Sequence, residues 1–177
     1  QDTKIGIPSL TFVAPAEAVI NAGLIPYFLD VNDDLLIHGN YQGIIIPVHL
    51  AGVRSQAKGS VIVEDSAHLI EKSGFSGNTQ CYSFYATKNM TTIQGGMLAT
   101  ANEKEAEWYR LARDHGISQG TEERYAKGNW RYEIKFVGWH MKNTDVVAAI
   151  GLEQLKKLDR LNEKRQKIIE HYNKNLN

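Results

Sequence analysis

The sequence predicts an α/β fold in which a mostly parallel β-sheet is flanked by helices. Short apolar runs recur along the first part of the chain, among them IPYFLD at residues 25–30 and three consecutive isoleucines at positions 44–46. Continuous runs of this kind are typical of strands that are covered on both faces, as they are in a parallel sheet. Later segments instead carry apolar residues at helical spacing. Together these patterns predict strands and helices packed in layers.

Six strands are predicted from this pattern, at residues 4–7, 25–30, 42–49, 60–64, 79–85 and 96–100. A first helix is predicted at residues 16–22, because Pro15 suits the first helical position and Gly23 the position just past the end. A second is predicted at residues 103–114, with acidic residues early, arginines late and Gly116 as its stop.

A third, long helix is predicted from about residue 145 to residue 174, with Thr144 as its cap. Its apolar residues recur at helical spacing and are Val147, Ile150, Leu155, Leu158, Leu161 and Ile168. We therefore expect these residues to form the packed side of the helix.

Two connections between predicted strands, residues 31–41 and 50–59, are short for parallel strands, which usually need a helical crossover of about a dozen residues or more. We expect loops in both places. One face of the sheet should then be poorly covered by this chain and shielded by a partner subunit. Residues 67–72 should form at most one or two helical turns and residues 73–78 a turn, while residues 117–139 are aromatic, basic and irregular.

Composition narrows the class of protein. The chain has 177 residues, which suits one domain with a substantial core. Twenty basic and twenty acidic residues give a formal net charge of zero, so a nucleic-acid partner is not expected. No apolar run is long enough to span a bilayer, and the first residues do not resemble a secretory signal. The single cysteine, Cys81, fits a reducing compartment, and we expect a cytoplasmic protein.

Two segments carry candidate chemistry. Lys88 follows an apolar and aromatic run and precedes the Gly95-Gly96 pair, so it would be delivered from the end of a buried strand. Desolvation there disfavours the charged form and makes the amine a candidate nucleophile, although most loop lysines are solvated surface groups. The segment VIVEDSAH, residues 61–68, reads as a second buried strand that ends in an acidic pair and a histidine. A lysine and a carboxylate at adjacent strand ends are what pyridoxal phosphate requires.

These segments belong to six ordered blocks, namely PSLTFVAPAEAV, IIIPVHLAG, VIVEDSAH, SFYATKN, GGM and NTDVVAAIGLEQLKKLD. In this order the blocks closely resemble the DegT/DnrJ/EryC1/StrS family of pyridoxal-phosphate-dependent sugar aminotransferases. The resemblance implies part of the large domain of an aspartate-aminotransferase-like (fold type I) enzyme. Residues 1–143 would form the cofactor-binding core, and residues 144–177 a long helix that leads toward a small C-terminal domain. Family members are longer, so the upstream phosphate-binding loop and most of the small domain are expected outside this chain.

The resemblance also implies residue roles. Lys88 would form the Schiff base with pyridoxal phosphate and carry the proton between two carbons, and Asp65 would pair with the pyridine nitrogen. His68 matches a position that contacts the cofactor ring or its 3-hydroxyl. Ser83 matches the serine that bonds the phosphate, and Phe12 the aromatic that stacks on the pyridine ring.

Each of these residues also has a structural interpretation. Asp65 could cap a helix that begins near Ala67, and His68 could pack against the sheet from that helix. Ser83 could be a hydroxyl on the face of the sheet, and Phe12 could simply be a core residue.

Other polar residues are less informative. His140 stands where the family commonly has an asparagine that reaches the partner's phosphate, so Lys142 or Asn143 could take that part, or the loop could be a charged surface loop. His49, in PVHL, is interpreted as structural. No metal-ligand constellation and no glycine-rich dinucleotide motif emerge from the sequence.

The resemblance implies a homodimer that transfers an amino group from an amino acid, with glutamate as the expected donor, to a nucleotide-linked keto sugar. Two alternatives remain. One is a pyridoxal-phosphate-dependent sugar dehydratase, which the lysine at position 88 disfavours because related dehydratases carry histidine there. The other is a non-catalytic, truncated fragment. All versions of the enzyme require that the Lys88 amine and the Asp65 carboxylate meet in one hollow.

Overall fold

The computed structural model describes residues 3–71, 74–118, 125–126, 128 and 131–176. The chain forms two compact units. The first, here called the sheet unit, comprises Gln1–Ala99 and Val146–Asn177, and the second, here called the aromatic unit, comprises Thr100–Asp145. The candidate site residues Phe12, Asp65, His68, Ser83 and Lys88 all belong to the sheet unit.

The sheet has six strands, which are β1 Lys4–Pro8, β2 Ile25–Leu29, β3 Ile44–Ile45, β4 Val61–Asp65, β5 Thr79–Ser83 and β6 Gly96–Ala99. Their order across the sheet is β2-β1-β3-β4-β5-β6. Every neighbouring pair is parallel except β5 and β6, which form an antiparallel pair. The predicted α/β fold with a mostly parallel sheet is therefore confirmed.

The helices described in full are α1 Ala14–Asn21, α2 Glu103–Ala112 and α3 Asp145–Asn175. Helix α1 begins two residues earlier than predicted, so Pro15 lies in its first turn but not at its first residue. Gly23 follows the helix with a φ of 71°, a left-handed conformation that glycine adopts without strain. At the start of α2, the Asn102 side chain accepts hydrogen bonds from the backbone N–H groups of Lys104 and Glu105, which are otherwise unsatisfied at a helix N-terminus.

Two predicted elements differ from the structure. The strand predicted at residues 42–49 is reduced to β3, because Gly43 has a φ of 108° before it and Pro47, which lacks an N–H, follows it. Beyond β3, Val48 still forms an isolated parallel bridge with Asp65. The helical turns predicted from residue 67 are absent from residues 67–71, which form a turn and irregular backbone.

The packed side of α3 is narrower and shorter than predicted. Leu158 is fully buried, but Leu155 and Ile168 are 41% and 55% exposed, so the prediction was wrong for these two residues. The physical reason is length. A helix of 31 residues extends about 46 Å, and beyond Arg165 its described residues are all exposed.

Apolar residues cover both faces of the sheet around β1 and β3. On one face, Ile5 and Ile7 pack against Val19 of α1. On the other, Leu29 and Ile45 pack against residues from the two short connections. These connections lack an α-helix, as predicted, and contain only a 3₁₀ turn at Leu50–Gly52.

The connections nevertheless cover their side of the sheet, because Ile37 and Ala57 are buried there. The poorly covered part of the sheet lies elsewhere, on β4, β5 and β6. Side chains alternate between the two faces of a strand, so Val61, Cys81 and Leu98 share the face that also carries Asp65. All three are exposed.

Within the aromatic unit, Trp108 of α2 stacks on Phe136 with ring centroids 5.3 Å apart and contacts Trp139 edge-on. The described residues 131–139 form no helix or strand apart from an isolated bridge between Ile117 and Ile134, in agreement with the predicted irregular segment. No helix in the described ranges is both long and apolar enough to cross a lipid bilayer.

Candidate active site

The carboxyl ends of β4 and β5 place two candidate residues at one edge of the sheet. Asp65 is the last residue of β4 and pairs in register with Cys81, and Ser83 ends β5 two residues further on. The alternation along a strand puts all three side chains on the same face. Ligands of open α/β sheets bind beyond the carboxyl ends of parallel strands, so this edge is the natural place for a site.

Asp65 has one carboxylate oxygen in use and one available. Its Oδ1 accepts a hydrogen bond of 2.9 Å from the backbone N–H of Ala67. No donor in the described part of the chain reaches Oδ2. The bond to Ala67 closes a turn, and no helix begins in residues 67–71, so the helix-cap interpretation of Asp65 is wrong.

His68 connects Asp65 with Lys88 electrostatically. Partial burial lowers the pKa of His68 below its usual value of 6.5, the positive charge of Lys88 lowers that pKa further, and the negative charge of Asp65 opposes the shift. Both charges therefore act on one imidazole. That the Lys88 amine and the Asp65 carboxylate share one hollow stays a prediction.

The tautomer of His68 follows from its backbone partner. The N–H of Ala51 points at His68 Nδ1 from 3.4 Å, so the ring proton belongs on Nε2. Ala51 itself has a φ of 53°, a left-handed conformation that is strained for a residue with a side chain. The short helix that was the alternative setting for His68 is not formed by residues 67–71, and its neutral ring can donate a hydrogen bond from Nε2.

Lys88 lies in the loop between β5 and β6, where its backbone N–H bonds the carbonyl of Tyr85 at 3.0 Å. The residue is half-buried, which disfavours the surface-lysine interpretation. Its Nζ makes no ion pair or hydrogen bond with any residue in the ranges that the structure describes. A half-buried amine without a carboxylate partner is available for chemistry.

The loop that carries Lys88 is closed by internal hydrogen bonds. The N–H of Phe84 donates to the carbonyl of Gly95 at 2.9 Å, and the Phe84 carbonyl accepts from the N–H of Thr92 at 2.9 Å. The Thr91 hydroxyl also donates to that carbonyl, at 3.1 Å. Ile93 has a φ of 73°, which is unusual for a β-branched residue. The loop therefore has a defined and locally strained shape.

Ser83 and Phe12 are linked to Asp65 and Lys88 less directly. Ser83 Oγ accepts a hydrogen bond of 3.3 Å from the N–H of Tyr85, so it stabilises the start of the Lys88 loop. Phe12 is 75% exposed, which rules out the core interpretation. It lies between the end of β1 and the start of α1, and β3 separates β1 from β4 in the sheet.

Sequence reasoning missed a polar cluster on the opposite face of β4. There Glu64 Oε2 accepts from His49 Nε2 at 2.9 Å and from Gln80 Nε2 at 2.5 Å, while Oε1 accepts from Asn78 Nδ2 at 2.7 Å. The N–H of Ser55 donates to His49 Nδ1, so the His49 ring is held from both nitrogens. The surrounding side chains and backbone therefore hold the buried His49 ring in place, which agrees with its structural interpretation. The available signal was strand alternation, which places Glu64 opposite Asp65.

Glu64 is ionised because its neighbours outweigh burial. Burial by itself would raise the pKa of Glu64, but hydrogen bonds from the surrounding side chains lower it to about 2. Arg54 adds an ion pair at 3.5 Å. The charge of Glu64 is therefore satisfied internally and has no capacity left for a ligand.

The predicted alternatives near position 140 are engaged within the aromatic unit. His140 Nδ1 and His115 Nε2 lie 3.1 Å apart with their rings stacked, and Lys142 forms an ion pair with Asp114 at 3.1 Å. Among the described residues, no group of three or more histidine, cysteine, aspartate or glutamate side chains is arranged to hold a metal ion.

Comparison with known proteins identifies relatives along the whole chain. The model of the DegT/DnrJ/EryC1/StrS aminotransferase family matches residues 1–177. An uncharacterized protein of Methanocaldococcus jannaschii is 35% identical over 92% of this chain and 49% of its own length. The spore coat polysaccharide biosynthesis protein SpsC of Bacillus subtilis is 33% identical over 92% of this chain and 48% of its own length. The chain thus spans about half the length of the curated relatives that it matches.

Solved structures agree on the fold. A protein of Streptococcus pneumoniae assigned as a sugar aminotransferase, solved in its PMP form, superposes with a TM-score of 0.82 at 25% identity, covering 98% of this chain and 55% of that chain. The same protein is also known in a PLP form. The aminotransferase PseC of Helicobacter pylori superposes with a TM-score of 0.83 at 24% identity, covering 98% of this chain and 51% of that chain. The predicted family resemblance and partial fold type I architecture are confirmed.

Proposed function

Because the chain belongs to the DegT/DnrJ/EryC1/StrS aminotransferase family, we propose that it carries the catalytic centre of a pyridoxal-phosphate-dependent sugar aminotransferase. The observation that supports this proposal is the register of β4 and β5. It puts Asp65 and Ser83 on one face at the carboxyl ends of adjacent parallel strands, and the loop that follows β5 carries Lys88.

The donors and acceptors present fit pyridoxal phosphate. Asp65 Oδ2 can accept from a protonated pyridine nitrogen, and the Lys88 amine can hold the cofactor covalently. His68 Nε2 can donate to the ring oxygen, and the Ser83 hydroxyl can donate to phosphate. The exposed ring of Phe12 is free of the core and could stack on a bound ring once brought over the site.

When bound, pyridoxal phosphate supplies an electron sink for negative charge at the α-carbon of the amino donor. Once the amine of the donor has displaced it from the cofactor, Lys88 would act as the general base: its Nζ would take the proton from the α-carbon of the donor and return it to the cofactor carbon that had held the lysine. Asp65 keeps the proton on the pyridine nitrogen, since a carboxylate beside this nitrogen favours its charged form. His68, neutral and donating from Nε2, orients the ring without adding a second positive charge beside Lys88.

We propose glutamate as the amino donor and a nucleotide-linked keto sugar as the acceptor. A relative named for spore coat polysaccharide biosynthesis and a structural neighbour assigned as a sugar aminotransferase support a sugar substrate. The exposed Val61 and Leu98, on the face that carries Asp65, support a homodimer in which a second subunit shields the site. The lone cysteine favours a cytoplasmic protein.

The proposal is tested by reducing the purified protein with borohydride in the presence of pyridoxal phosphate and mapping the modified lysine by mass spectrometry. The label should fall on Lys88 and be lost in Lys88→Ala, whereas the exposed Lys58→Ala should keep it. Turnover should fall by about 10²–10⁴-fold in Lys88→Ala, because a general base is removed.

The reaction class is tested with glutamate and a panel of nucleotide-linked keto sugars. An aminotransferase consumes glutamate, releases 2-oxoglutarate and yields an amino sugar. Loss of water from the sugar without consumption of glutamate would establish the dehydratase instead. A wild-type protein that is never labelled at Lys88 would contradict the aminotransferase, and the absence of both reactions would favour a non-catalytic role.

A further inference from the structure

Helix α3 passes along the two loops that carry the candidate site. Near its start, Gly151 lies against Thr92 in the Lys88 loop, where an added Cβ would come within 3.1 Å of Thr92 Cγ2. Nearly halfway along, the fully buried Leu158 packs with Phe84 and Met90, which flank Lys88 in sequence. The helix is therefore packed directly on the Lys88 loop.

Two polar residues of α3 extend this contact to both loops. Arg165 Nη2 donates to the carbonyl of Asn89 at 2.9 Å, and Arg165 Nη1 donates to Asn162 Oδ1 at 3.0 Å. Asn162 Nδ2 in turn donates to the carbonyl of Ile70 at 3.2 Å. Asn89 directly follows Lys88, and Ile70 lies two residues after His68. A continuous chain of three hydrogen bonds thus joins the carbonyl of Asn89 to the carbonyl of Ile70.

We propose that Asn162 and Arg165 are positioning residues that fix the distance between the Lys88 loop and the Asp65–His68 turn. This inference rests on the proposed function, in which the two segments must present an amine and a carboxylate to one cofactor. We call the pair the α3 clamp. It acts through the backbone of its neighbours and touches no reacting atom itself.

The chemistry of the pair suits this role. Residues three apart on a helix lie on the same face, so Asn162 and Arg165 can bond each other while both reach outward. The planar guanidinium presents two N–H groups in a rigid fork, and here one bonds Asn162 while the other bonds the Asn89 carbonyl. The Asn162 amide donates to one loop with its nitrogen and accepts from Arg165 with its oxygen. A shift of either loop would therefore be transmitted to the other.

The first test is native-state hydrogen exchange of residues 66–71 and 84–95 in wild type, Arg165→Met and Asn162→Ala. The control is Arg160→Met, an exposed arginine on the same helix. Each clamp variant should speed exchange in both segments by about tenfold or more, since hydrogen bonds to charged groups are among the stronger ones. Loosening confined to the segment that each variant contacts directly, or equal exchange in all four proteins, would overturn the clamp.

The second test follows the absorption band of protein-bound pyridoxal phosphate through a pH titration. Both clamp variants should shift the titration midpoint, and turnover should fall by about 10–100-fold with a smaller change in donor KM, as expected for misplacement near 1 Å. Arg160→Met should match wild type. If the clamp variants exchange faster but keep the wild-type titration midpoint and turnover, Asn162 and Arg165 only stabilise the fold and do not position the site.

A wild-type protein without the absorption band would contradict the proposed function. The exchange measurement needs no cofactor, so it would still decide whether α3 couples the two segments. If the clamp variants speed exchange in both segments of a protein that shows no absorption band, α3 links the two segments but the link does not serve catalysis.

Discussion

Glu64 and Asp65 are adjacent carboxylates on β4 with opposite fates. Glu64 is 5% exposed and accepts hydrogen bonds from three side chains, with Arg54 as an ion-pair partner. Asp65 is half-buried, and within the described ranges its side chain accepts one hydrogen bond, from the backbone N–H of Ala67. Because successive residues of a strand face opposite sides, one residue of sequence separates a carboxylate satisfied by the protein from one left for a ligand.

The positive charges on the two faces differ in the same way. Arg54 is within 3.5 Å of Glu64 and 3.7 Å of Glu71, and also donates to a backbone carbonyl. The Lys88 amine has no such partner in the ranges that the structure describes. Fully bonded polar clusters stabilise a fold, whereas incompletely bonded groups at a sheet edge indicate a binding site. The comparison therefore gives the Glu64 face a structural role and leaves the Asp65 face as the candidate site.

The largest expected effect is on the Glu64 face. Glu64→Gln should lower the free energy of unfolding by about 3–5 kcal/mol, because breaking a buried charged cluster leaves its remaining groups without their partner. Denaturant titration measures this change. The folded fraction should still be labelled at Lys88 by borohydride. If Glu64→Gln keeps the wild-type stability but is no longer labelled at Lys88, the Glu64 face and not the Asp65 face would be the one that serves the reaction.

Asp65→Asn should have the complementary effect. Turnover should fall by about 10²–10³-fold, since the amide cannot provide the negative charge that holds the pyridine nitrogen protonated. The free energy of unfolding should change by no more than about 0.5 kcal/mol, because asparagine can still accept from the Ala67 N–H. Steady-state kinetics measure the change in turnover, and denaturant titration of the same preparation measures the change in the free energy of unfolding. Strong destabilisation would make Asp65 a structural residue like Glu64.

The pH dependence of stability should follow Glu64. A pKa lowered from 4.5 to about 2 means that the folded state binds the proton less readily than the unfolded state. This contribution, about 3 kcal/mol, is present above pH 4.5 and is lost as the pH falls from 4.5 toward 2. Thermal unfolding between pH 7 and pH 2 measures it, and Glu64→Gln should show a flatter profile. An equal slope in both proteins would place the acid sensitivity elsewhere.

The sequence was sufficient to predict that strands precede Asp65 and Lys88, because the apolar runs that indicate these strands are local in the sequence. Lys88 and Asp65 each follow an apolar run, and parallel strands bring such ends together. Strand β3 was predicted too long, because residues 44–48 are apolar and the missing N–H of Pro47 outweighs that pattern.

Contacts between distant parts of the chain could not be predicted in this way. The partners of Glu64 come from positions 49, 54, 78 and 80, and Arg165 reaches a carbonyl at position 89. On the sequence alone, Asn162 and Arg165 are polar residues on a helix, which usually face solvent. Leu155 and Ile168 were assigned to the packed side because helical spacing does not reveal where the sheet beneath a helix ends.

The antiparallel pairing of β5 with β6 has a consequence for how the Lys88 loop is anchored. Ser83 pairs with Gly96 where the loop leaves and re-enters the sheet, and the bond from the Phe84 N–H to the Gly95 carbonyl continues the ladder. Both ends of the loop are therefore fixed to neighbouring strands. Because β5 also pairs with β4, the same strand that begins the Lys88 loop holds Asp65 in register beside it.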